Sequence, residues 1–388
     1  MKASGAPADA HANPRVERTR PYAQVFPSLL DGDGHRRAHA EITGWPGYAP
    51  TPLVPLPRLA RALGIAQLAV KDEGGRFGLG SFKAIGGAYA VYRALAAAVA
   101  RETGALPGAA ALASGEYAGI VRGLTVTCAS EGNHGRAVAW GAARFGCHAV
   151  ICLRENVNAA RVAAIAAHGA AIEHVAGSYD DAVRAAQAAA ERHGRIVISD
   201  TAYAGCEAVP EDVMQGYTVI GAELLEQLGA DRPTHVFVQA GVGGLAAALA
   251  AHLWRELGGE RPHFVVVEPD RAACLLASVR ARAPARLTGP LDSVMSCLAC
   301  GEPSTIAFRI LERAADAFMA IPDEAAHTAV HRLGNGAGDP PVSAGASGAA
   351  GVAALLSIVG SPAARARLGI TPDARAVCLI TEAAVPES

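Results

Sequence analysis

One lysine in the sequence stands where a nucleophilic amine would be useful. Lys83 lies in the stretch GRFGLGSFKAIGGAYAV, between a glycine-rich approach and a run of small and apolar residues that predicts a helix. A lysine at the edge of a buried helix is partly desolvated, which disfavours the ammonium form, and the neutral amine attacks carbonyl groups. From this segment alone, the simpler interpretation is a structural lysine with a buried stem and a solvated charge.

Two glycine-rich turns have the composition of anion-binding sites. ASEGNHGRAVAW (residues 129–140) and QAGVGGLAAALAAH (residues 239–252) each follow a β-like run and open a helical run. At such a turn the backbone N–H groups and the helix dipole attract an anion, and glycine lets the amides approach a phosphate closely. Taken singly, either turn could need its glycines for packing only.

Neither turn matches a nucleotide-binding signature. A dinucleotide fingerprint would need glycine three places beyond Gly243, where the chain has Ala246, and the Gly-Lys-Ser/Thr of a P-loop is missing. A nucleophilic lysine, an anion-binding turn with an asparagine and a phosphate-type glycine loop are instead the parts that hold pyridoxal phosphate. The three features together therefore favour a functional interpretation of Lys83.

The elements that must position these residues follow an alternating pattern. Short β-branched runs, bounded by glycine or polar residues, alternate with alanine-rich helical runs; the strand-like runs are LTVTCAS, HAVICL, AIEHVAG, RIVISDT, THVFVQAG, HFVVVEPD and AVCLITEA. This alternation predicts an α/β fold of open, mainly parallel sheets flanked by helices, with ligands at the carboxyl ends of the strands. Residues 106–123 and 280–293 are typical of loop-like insertions.

The composition favours a globular protein that acts on small molecules. Of the 388 residues, 51% are hydrophobic and 18% are charged, which is typical of a chain with a large core. The 34 Lys and Arg nearly balance the 36 Asp and Glu, so no nucleic-acid or anionic-membrane partner is indicated. No apolar run approaches ~20 residues, and the N-terminal stretch lacks the apolar core of a secretory signal, so we expect a cytoplasmic protein.

The eight cysteines are scattered along the chain rather than arranged as a disulfide framework. Cys297 and Cys300 form a Cys-x-x-Cys pair, but no second pair follows and no histidine stands at zinc-finger spacing. We therefore expect buried structural thiols and no metal site.

Five motifs, in order, resemble those of the fold type II, tryptophan-synthase-β-like pyridoxal-phosphate enzymes: KDEGGRFGLGSFKAIGG, ASEGNHGRAVAWGA, SDTAYAGCEAVPEDVMQGY, QAGVGGLA and CLACGEPS. Within that superfamily they are most similar to the diaminopropionate ammonia-lyases, and the likeness runs from about Phe26 to Glu382. The resemblance implies a discontinuous large domain (residues 1–85 and 195–388) that binds pyridoxal 5'-phosphate, and a small α/β domain (residues 86–194).

The resemblance also implies residues that hold the cofactor. Lys83 matches the Schiff-base lysine, whose released amine later acts as a general base at the substrate α-carbon. Asn133 should bond the phenolic oxygen of the cofactor, and Thr381 should face its pyridine nitrogen, an arrangement that favours β-elimination over transamination. The phosphate should be cradled by Gly241, Val242, Gly243, Gly244 and Leu245.

The same resemblance implies roles toward the substrate for five residues: Ser130, Glu131, Gly132, His134 and Asp200. The amides of residues 130–134 should receive the substrate carboxylate. Glu131 replaces an aspartate of the family and could act as a second base on the face opposite Lys83; its structural alternative is a solvated acid in the first turn of a helix. Asp200 could pair with the substrate β-ammonium or balance the charge of the site; its structural alternative is a helix cap.

The chain departs from the family pattern at three places. Ala346 stands where the family tends to have the acid of Gly-Glu-Ser-Gly, Ala383 stands where a glycine is expected, and residues 106–123 are inserted. These departures leave the cofactor unchanged and the substrate open.

The function implied is that of a homodimeric carbon–nitrogen lyase. It would eliminate ammonia from 2,3-diaminopropionate, the L form and possibly the D form, to give pyruvate and ammonia. The alternatives are a serine, threonine or 3-hydroxy-amino-acid dehydratase, a β-replacement synthase and a non-catalytic protein that binds pyridoxal phosphate.

The resemblance also places Cys274 and Cys300 near the substrate entrance. A disulfide there would restrain a loop, whereas a reducing cytoplasm favours free thiols. Both states stay open at this point.

Overall fold

The computed structural model describes residues 9–130, 132–155, 157–177 and 179–384. Its strands are β1 (Asp9–Ala12), β2 (Leu53–Pro55), β3 (Gln67–Asp72), β4 (Thr125–Ser130), β5 (His148–Arg154), β6 (Ala171–Val175), β7 (Ile196–Val197), β8 (His235–Gln239), β9 (His263–Pro269), β10 (Ala317–Ile321) and β11 (Arg375–Ile380). Its helices are α1 (Tyr22–Val25), α2 (Gly32–Thr43), α3 (Pro57–Leu63), α4 (Lys83–Thr103), α5 (Ala109–Ala113), α6 (Ala118–Val121), α7 (Asn133–Phe145), α8 (Ala159–Ala166), α9 (Tyr179–His193), α10 (Ala208–Leu228), α11 (Gly244–Leu257), α12 (Cys274–Ala281), α13 (Thr305–Ala314), α14 (Asp323–Gly334), α15 (Ala350–Ser357) and α16 (Pro362–Arg367).

The described strands form two sheets, one of seven strands and one of four, and both are mostly parallel. Helices of the first sheet pack on its strands, as α15 does on β8, and α7 and α9 pack on the second sheet. The predicted α/β fold of two open, mainly parallel sheets flanked by helices is therefore confirmed.

The first of two compact units comprises the described residues 9–32, 50–80 and 220–384. Its sheet has the order β1-β10-β9-β8-β11-β3-β2, with antiparallel strands at its two edges. The central strands β8 (HVFVQ) and β10 (AFMAI) are buried at every position, as expected for parallel strands that are covered on both faces. The glycine loop (residues 241–245) follows β8, and Thr381 follows the neighbouring strand β11.

The second unit comprises residues 33–49 and 81–219 and contains the parallel sheet β6-β5-β4-β7. Helices α4 and α7 pack closely through glycine. A Cβ atom on Gly87 would lie 2.8 Å from Ala137 Cβ, and one on Gly141 would lie 2.8 Å from Ala88 Cα. The predicted small domain, residues 86–194, lies inside this unit, which extends further in the sequence on both sides.

The two predicted insertions differ in structure. Residues 106–123, which we expected to be a loop, contain the short helices α5 and α6, because the alanine-rich run AAALA has high helix propensity. Of the second predicted insertion, residues 280–293, residues 282–293 have no helix or strand, as predicted, whereas residues 280 and 281 form the end of α12. Within the described ranges no helix is long and apolar enough to cross a membrane.

A buried network of charged side chains holds the segment that precedes Lys83 in the chain. Lys71 Nζ lies 2.6 Å from Glu223 Oε2, and Arg76 Nη1 lies 2.7 Å from Glu223 Oε1. Arg76 Nη2 lies 2.8 Å from Glu73 Oε1. All four side chains are at most 1% exposed, so removing one would leave an uncompensated buried charge. The network therefore fixes the backbone of residues 71–76.

Two stacked histidines lie at the amino-terminal ends of β8 and β9, with ring centroids 5.3 Å apart. His235 Nε2 lies 2.9 Å from the carbonyl oxygen of Leu368, and His235 Nδ1 lies 2.8 Å from Thr234 Oγ1. Burial lowers the pKa of His235 to about 4, and burial also lowers the pKa of His263. Both imidazoles are therefore neutral in the folded chain at neutral pH.

The neutral His235 should make the fold sensitive to acid. Its pKa rises from about 4 to 6.5 on unfolding, so its contribution to stability is complete above pH 6.5 and is lost as the pH falls toward 4. This loss should amount to on the order of 3 kcal/mol. We expect His235→Asn to reduce the fall in unfolding free energy between pH 7 and pH 4 by about that amount, measured by urea titration. An unchanged pH dependence in the variant would contradict this assignment.

Candidate active site

Lys83 is the first residue of α4, and its side chain is partly buried in the second unit. Lys83 Nζ lies 2.6 Å from Asp200 Oδ2, with the two side chains 21% and 14% exposed. The same nitrogen lies 5.3 Å from the ring centroid of Phe82 and 5.9 Å from that of Tyr217. The amine is thus held beside one carboxylate and two aromatic rings, with access remaining for a ligand.

Besides Lys83, the sequence has two lysines, Lys2 and Lys71. Lys71 is fully buried and donates to Glu223 Oε2 at 2.6 Å and to the carbonyl oxygen of Thr51 at 2.7 Å. Lys2 precedes the described residues. Among the described lysines, only Lys83 combines partial exposure with a position at the start of a helix, so it is the amine best placed for covalent chemistry.

Asp200 follows β7 and directs its carboxylate at Lys83 rather than at a helix start, since the next helix begins at Ala208. Burial on its own would raise the pKa of Asp200, but the Lys83 ammonium 2.6 Å away outweighs it and holds this pKa well below its usual value. Thr201 Oγ1 also donates to Asp200 Oδ1 at 3.3 Å. The carboxylate is therefore ionised at neutral pH.

His134, in the first turn of α7, has an unprotonated ring nitrogen near Lys83 and Asp200. Its Nε2 lies 2.7 Å from the carbonyl oxygen of Ile198, which only accepts, so Nε2 carries the proton. Burial lowers the pKa of His134, so the ring is neutral and Nδ1 is unprotonated. Within the described part of the chain this buried Nδ1 has no hydrogen-bond partner, and it lies 3.9 Å from Asp200 Oδ2.

The 129–140 turn is built around the hydroxyl of Ser130. Ser130 Oγ accepts from the amide of Gly132 at 2.9 Å and from that of Gly135 at 2.8 Å. Gly132 has φ 147°, a conformation that favours glycine, and α7 begins directly after it at Asn133. Glu131, predicted to be a second base, lies outside the described residues. Ser130 therefore shapes the turn by accepting two of its amide hydrogens.

The glycine loop of the first unit is tightly packed at Gly241 and Gly243. A Cβ atom on Gly241 would lie 2.9 Å from Cys300 Sγ, and one on Gly243 would lie 3.1 Å from Leu275 Cδ1. Gly243 has φ 97° and precedes α11, and among the described residues no side chain caps this helix start. A 14-residue helix that begins with uncapped amides at a glycine turn fits a phosphate group.

Thr381 lies at the carboxyl end of β11 with a hydroxyl that has a proton to donate. Gln239 Nε2 donates to Thr381 Oγ1 at 3.0 Å, so the Thr381 oxygen already accepts and its hydrogen can go to another acceptor. This arrangement fits an unprotonated ring nitrogen. Gln239 received no role from the sequence, although a polar residue at the end of the fully buried strand HVFVQ is a usable signal.

A second acid that received no role from the sequence is Glu382. Its side chain is buried, its Oε2 lies 3.4 Å from Cys297 Sγ, and its Oε1 lies 2.8 Å from where a Cβ atom of Gly345 would be. The acid expected at position 346 is replaced by alanine. A buried carboxylate is nevertheless present beside residue 345, and it comes from the end of β11.

The cysteines of this unit are thiols. No disulfide joins Cys274 and Cys300, so the structure has the reduced state of the two that the sequence left open. The His, Cys, Asp and Glu side chains of the described residues form no group of three that could hold a metal ion.

Comparison with known proteins places these features in a family context. The chain matches the family model of the pyridoxal-phosphate dependent enzymes over residues 45–382. It is 35% identical over 355 residues to diaminopropionate ammonia-lyase of Escherichia coli K12, covering 89% of this chain and 87% of the relative. It is 36% identical over 342 residues to diaminopropionate ammonia-lyase of Salmonella typhimurium LT2, covering 86% and 84%.

Comparison with solved structures also finds a diaminopropionate ammonia-lyase. The Escherichia coli diaminopropionate ammonia-lyase in complex with D-serine matches with a TM-score of 0.87 at 32% identity, covering 97% of this chain and 94% of that chain. The resemblance inferred from the five motifs, and the fold type II architecture that it implied, are confirmed.

Proposed function

We propose that this chain, which belongs to the family of pyridoxal-phosphate dependent enzymes, is a lyase that converts 2,3-diaminopropionate to pyruvate and ammonia. The observation that carries the proposal is the Lys83 amine, part-buried and 2.6 Å from the ionised carboxylate of Asp200. The substrate is supported by relatives of 35% and 36% identity that are diaminopropionate ammonia-lyases.

Each polar group of the cofactor has a proposed partner among the residues of this chain. Lys83 would hold it covalently, and Asn133 would bond its phenolic oxygen. The uncapped amides of the glycine loop would bind its phosphate, and the Thr381 hydroxyl would donate to its ring nitrogen. When bound, pyridoxal phosphate withdraws electrons from the substrate α-carbon and so acidifies the α-proton.

The substrate carboxylate would be bound at the 129–140 turn. Since Ser130 Oγ already accepts from the amides of Gly132 and Gly135, the donors proposed for the carboxylate include the first-turn amide of His134 in α7. The positive end of the α7 dipole strengthens this binding. The substrate is thereby oriented with its α-carbon toward a catalytic base.

Proton transfer would be carried out by Lys83 together with Asp200. The released amine takes the α-proton at Nζ, and the Asp200 carboxylate at 2.6 Å stabilises the resulting ammonium. A substrate β-ammonium needs no further proton, because it departs as ammonia with the electrons of the broken C–N bond. Asp200 is also the acid that would pair with a substrate β-ammonium, so diaminopropionate should be preferred to a hydroxy amino acid.

Purified enzyme supplied with D- and L-2,3-diaminopropionate, serine and threonine tests the substrate. We expect kcat/KM for at least one enantiomer of diaminopropionate to exceed that for serine by about tenfold or more, because only diaminopropionate offers a β-ammonium to Asp200. The opposite order would favour the second candidate, a serine dehydratase. One observation supports that candidate, since the related Escherichia coli enzyme was solved in complex with D-serine.

Glu131 should determine whether the D-enantiomer is used. If it is the base on the face opposite Lys83, Glu131→Gln keeps the shape but cannot accept a proton. We expect turnover of the D-enantiomer to fall at least about ten times more than that of the L-enantiomer, equivalent to about 1.4 kcal/mol of selective barrier. Glu102→Gln, an exposed acid on α4, is the matched control. Equal losses for both enantiomers would show that Glu131 does not act as a base for one of them.

We also propose that the enzyme is a cytoplasmic homodimer, as its resemblance to the family implies. Light scattering on the eluted protein should then give twice the chain mass of 39.4 kDa. A mass of one chain at micromolar concentration would contradict the dimer.

A further inference from the structure

The glycine loop is enclosed by the first turn of α12. Cys274, the first residue of this helix, is fully buried, and its Sγ donates to the carbonyl oxygen of Gly241 at 3.6 Å. The next residue, Leu275, packs against Gly243. A Cβ atom added to Gly243 would lie only 3.1 Å from Leu275 Cδ1. The start of α12 therefore touches the loop at two of its glycines.

Glu268 anchors the start of α12 to the sheet. Its Oε1 accepts from the amide of Leu275 at 2.7 Å, and its Oε2 accepts from the amide of Leu276 at 2.8 Å. Glu268 is fully buried on β9, the strand that pairs with β8 directly before the loop. Burial raises the pKa of the Glu268 carboxyl to about 8, and hydrogen bonds from the two amides and from the Cys274 side chain oppose this rise. Strand β9 thus holds the start of α12 in place, and β9 lies next to β8, the strand that the glycine loop follows.

The direction of a loop carbonyl determines the direction of the following amide. In a trans peptide the C=O and the N–H of the same plane point in opposite directions. The Gly241 carbonyl points to the Cys274 thiol, and the Val242 carbonyl accepts from the amide of Ser304 at 2.9 Å. The N–H groups of Val242 and Gly243 therefore point away from α12 and from Ser304, respectively.

We infer that Cys274 is a positioning residue, whose thiol holds the Gly241 carbonyl so that the Val242 amide is oriented for phosphate. The inference rests on the proposed role of the glycine loop in binding the cofactor phosphate. Glu268 supports the same function indirectly, because it fixes the helix that carries the thiol. Cys274 makes no contact with substrate in this role.

Two substitutions at Cys274 separate the hydrogen bond from packing. Cys274→Ser keeps a donor for the Gly241 carbonyl, whereas Cys274→Ala removes it. The matched control is Cys378→Ala, another fully buried cysteine of the same unit, on β11. The dissociation constants of the apoenzyme for pyridoxal phosphate and for pyridoxal, which lacks the phosphate, are the measurements.

We expect Cys274→Ala to raise the dissociation constant for pyridoxal phosphate about fivefold and to leave that for pyridoxal unchanged. Cys274→Ser and Cys378→Ala should both stay within about twofold of wild type. If the alanine variant does not fold, Cys274→Val, which fills the site without a hydrogen-bond donor, should give the same phosphate-specific loss.

Two results would overturn the inference: equal affinities of the Ala and Ser variants, or a loss for Cys274→Ala that is the same for pyridoxal and for pyridoxal phosphate. Failure of the wild-type chain to bind pyridoxal phosphate would instead overturn the proposed function. Because no amino-acid substrate is present, the outcome does not depend on which one the enzyme uses.

Discussion

Replacing Lys83 with alanine should lower ammonia release by on the order of 10³-fold or more and should abolish the covalent attachment of the cofactor. Both effects follow from one amine, since Lys83 is the described lysine that is neither fully buried nor committed to a buried ion pair. Lys83→Arg is the matched variant, because it keeps the positive charge beside Asp200 but is not a nucleophile that forms this link.

Borohydride reduction followed by peptide mass spectrometry locates the attachment. The sequence offers three possible sites, Lys2, Lys71 and Lys83, so the result is unambiguous. The reduced cofactor should be found on the peptide that contains Lys83 in the wild type, and on no peptide in the Ala and Arg variants. A modified Lys2 or Lys71 in the wild type would show the assignment to be wrong.

Replacing Asp200 with asparagine should lower kcat/KM on the order of 10²-fold. The variant keeps the size of the side chain but removes the negative charge that lies 2.6 Å from Lys83 Nζ. The ammonium formed when Lys83 takes the α-proton would then lose its stabilising partner in a part-buried site. The loss should also be larger for diaminopropionate than for serine, since only the former has a β-ammonium.

A second ion pair of the same unit provides the control for Asp200. Arg93 Nε lies 3.1 Å from Asp212 Oδ1, and both side chains are 28% exposed. Asp212→Asn should leave kcat/KM within about twofold of wild type, because its partner Arg93 lies ten residues, about 15 Å, further along α4 than Lys83. A similar loss in both variants would mean that Asp200 acts through stability alone, which thermal unfolding of the two proteins would reveal.

The parts of the fold that could be predicted from sequence are those encoded locally. Buried strands such as HVFVQ and the helical start at Lys83 are visible because their patterns occupy consecutive residues. The assignment of residues 33–49 to the second unit could not be predicted, since it depends on distant packing. Trp45 stacks edge-on against Trp140, with ring centroids 5.9 Å apart, across about a hundred positions of the chain.

The same distinction holds for the candidate site. The glycine turns and Lys83 have local signatures, whereas Gln239 and Glu382 acquire meaning only from what they touch. Gln239 donates to Thr381 on the neighbouring strand, and Glu382 contacts the Cys297 thiol. Neither partner lies within reach in the sequence, so these contacts require the fold to be known.

The ratio of ammonia to pyruvate is the measurement that tests the proposed function most directly. Elimination from 2,3-diaminopropionate expels the β-nitrogen as ammonia, and hydrolysis of the remaining three-carbon product releases the α-nitrogen as a second ammonia with pyruvate. The purified enzyme loaded with pyridoxal phosphate should therefore produce two ammonia molecules for each pyruvate from diaminopropionate. If neither enantiomer of diaminopropionate gives pyruvate while serine gives one ammonia for each pyruvate, the chain is a dehydratase and the proposed ammonia-lyase function is wrong.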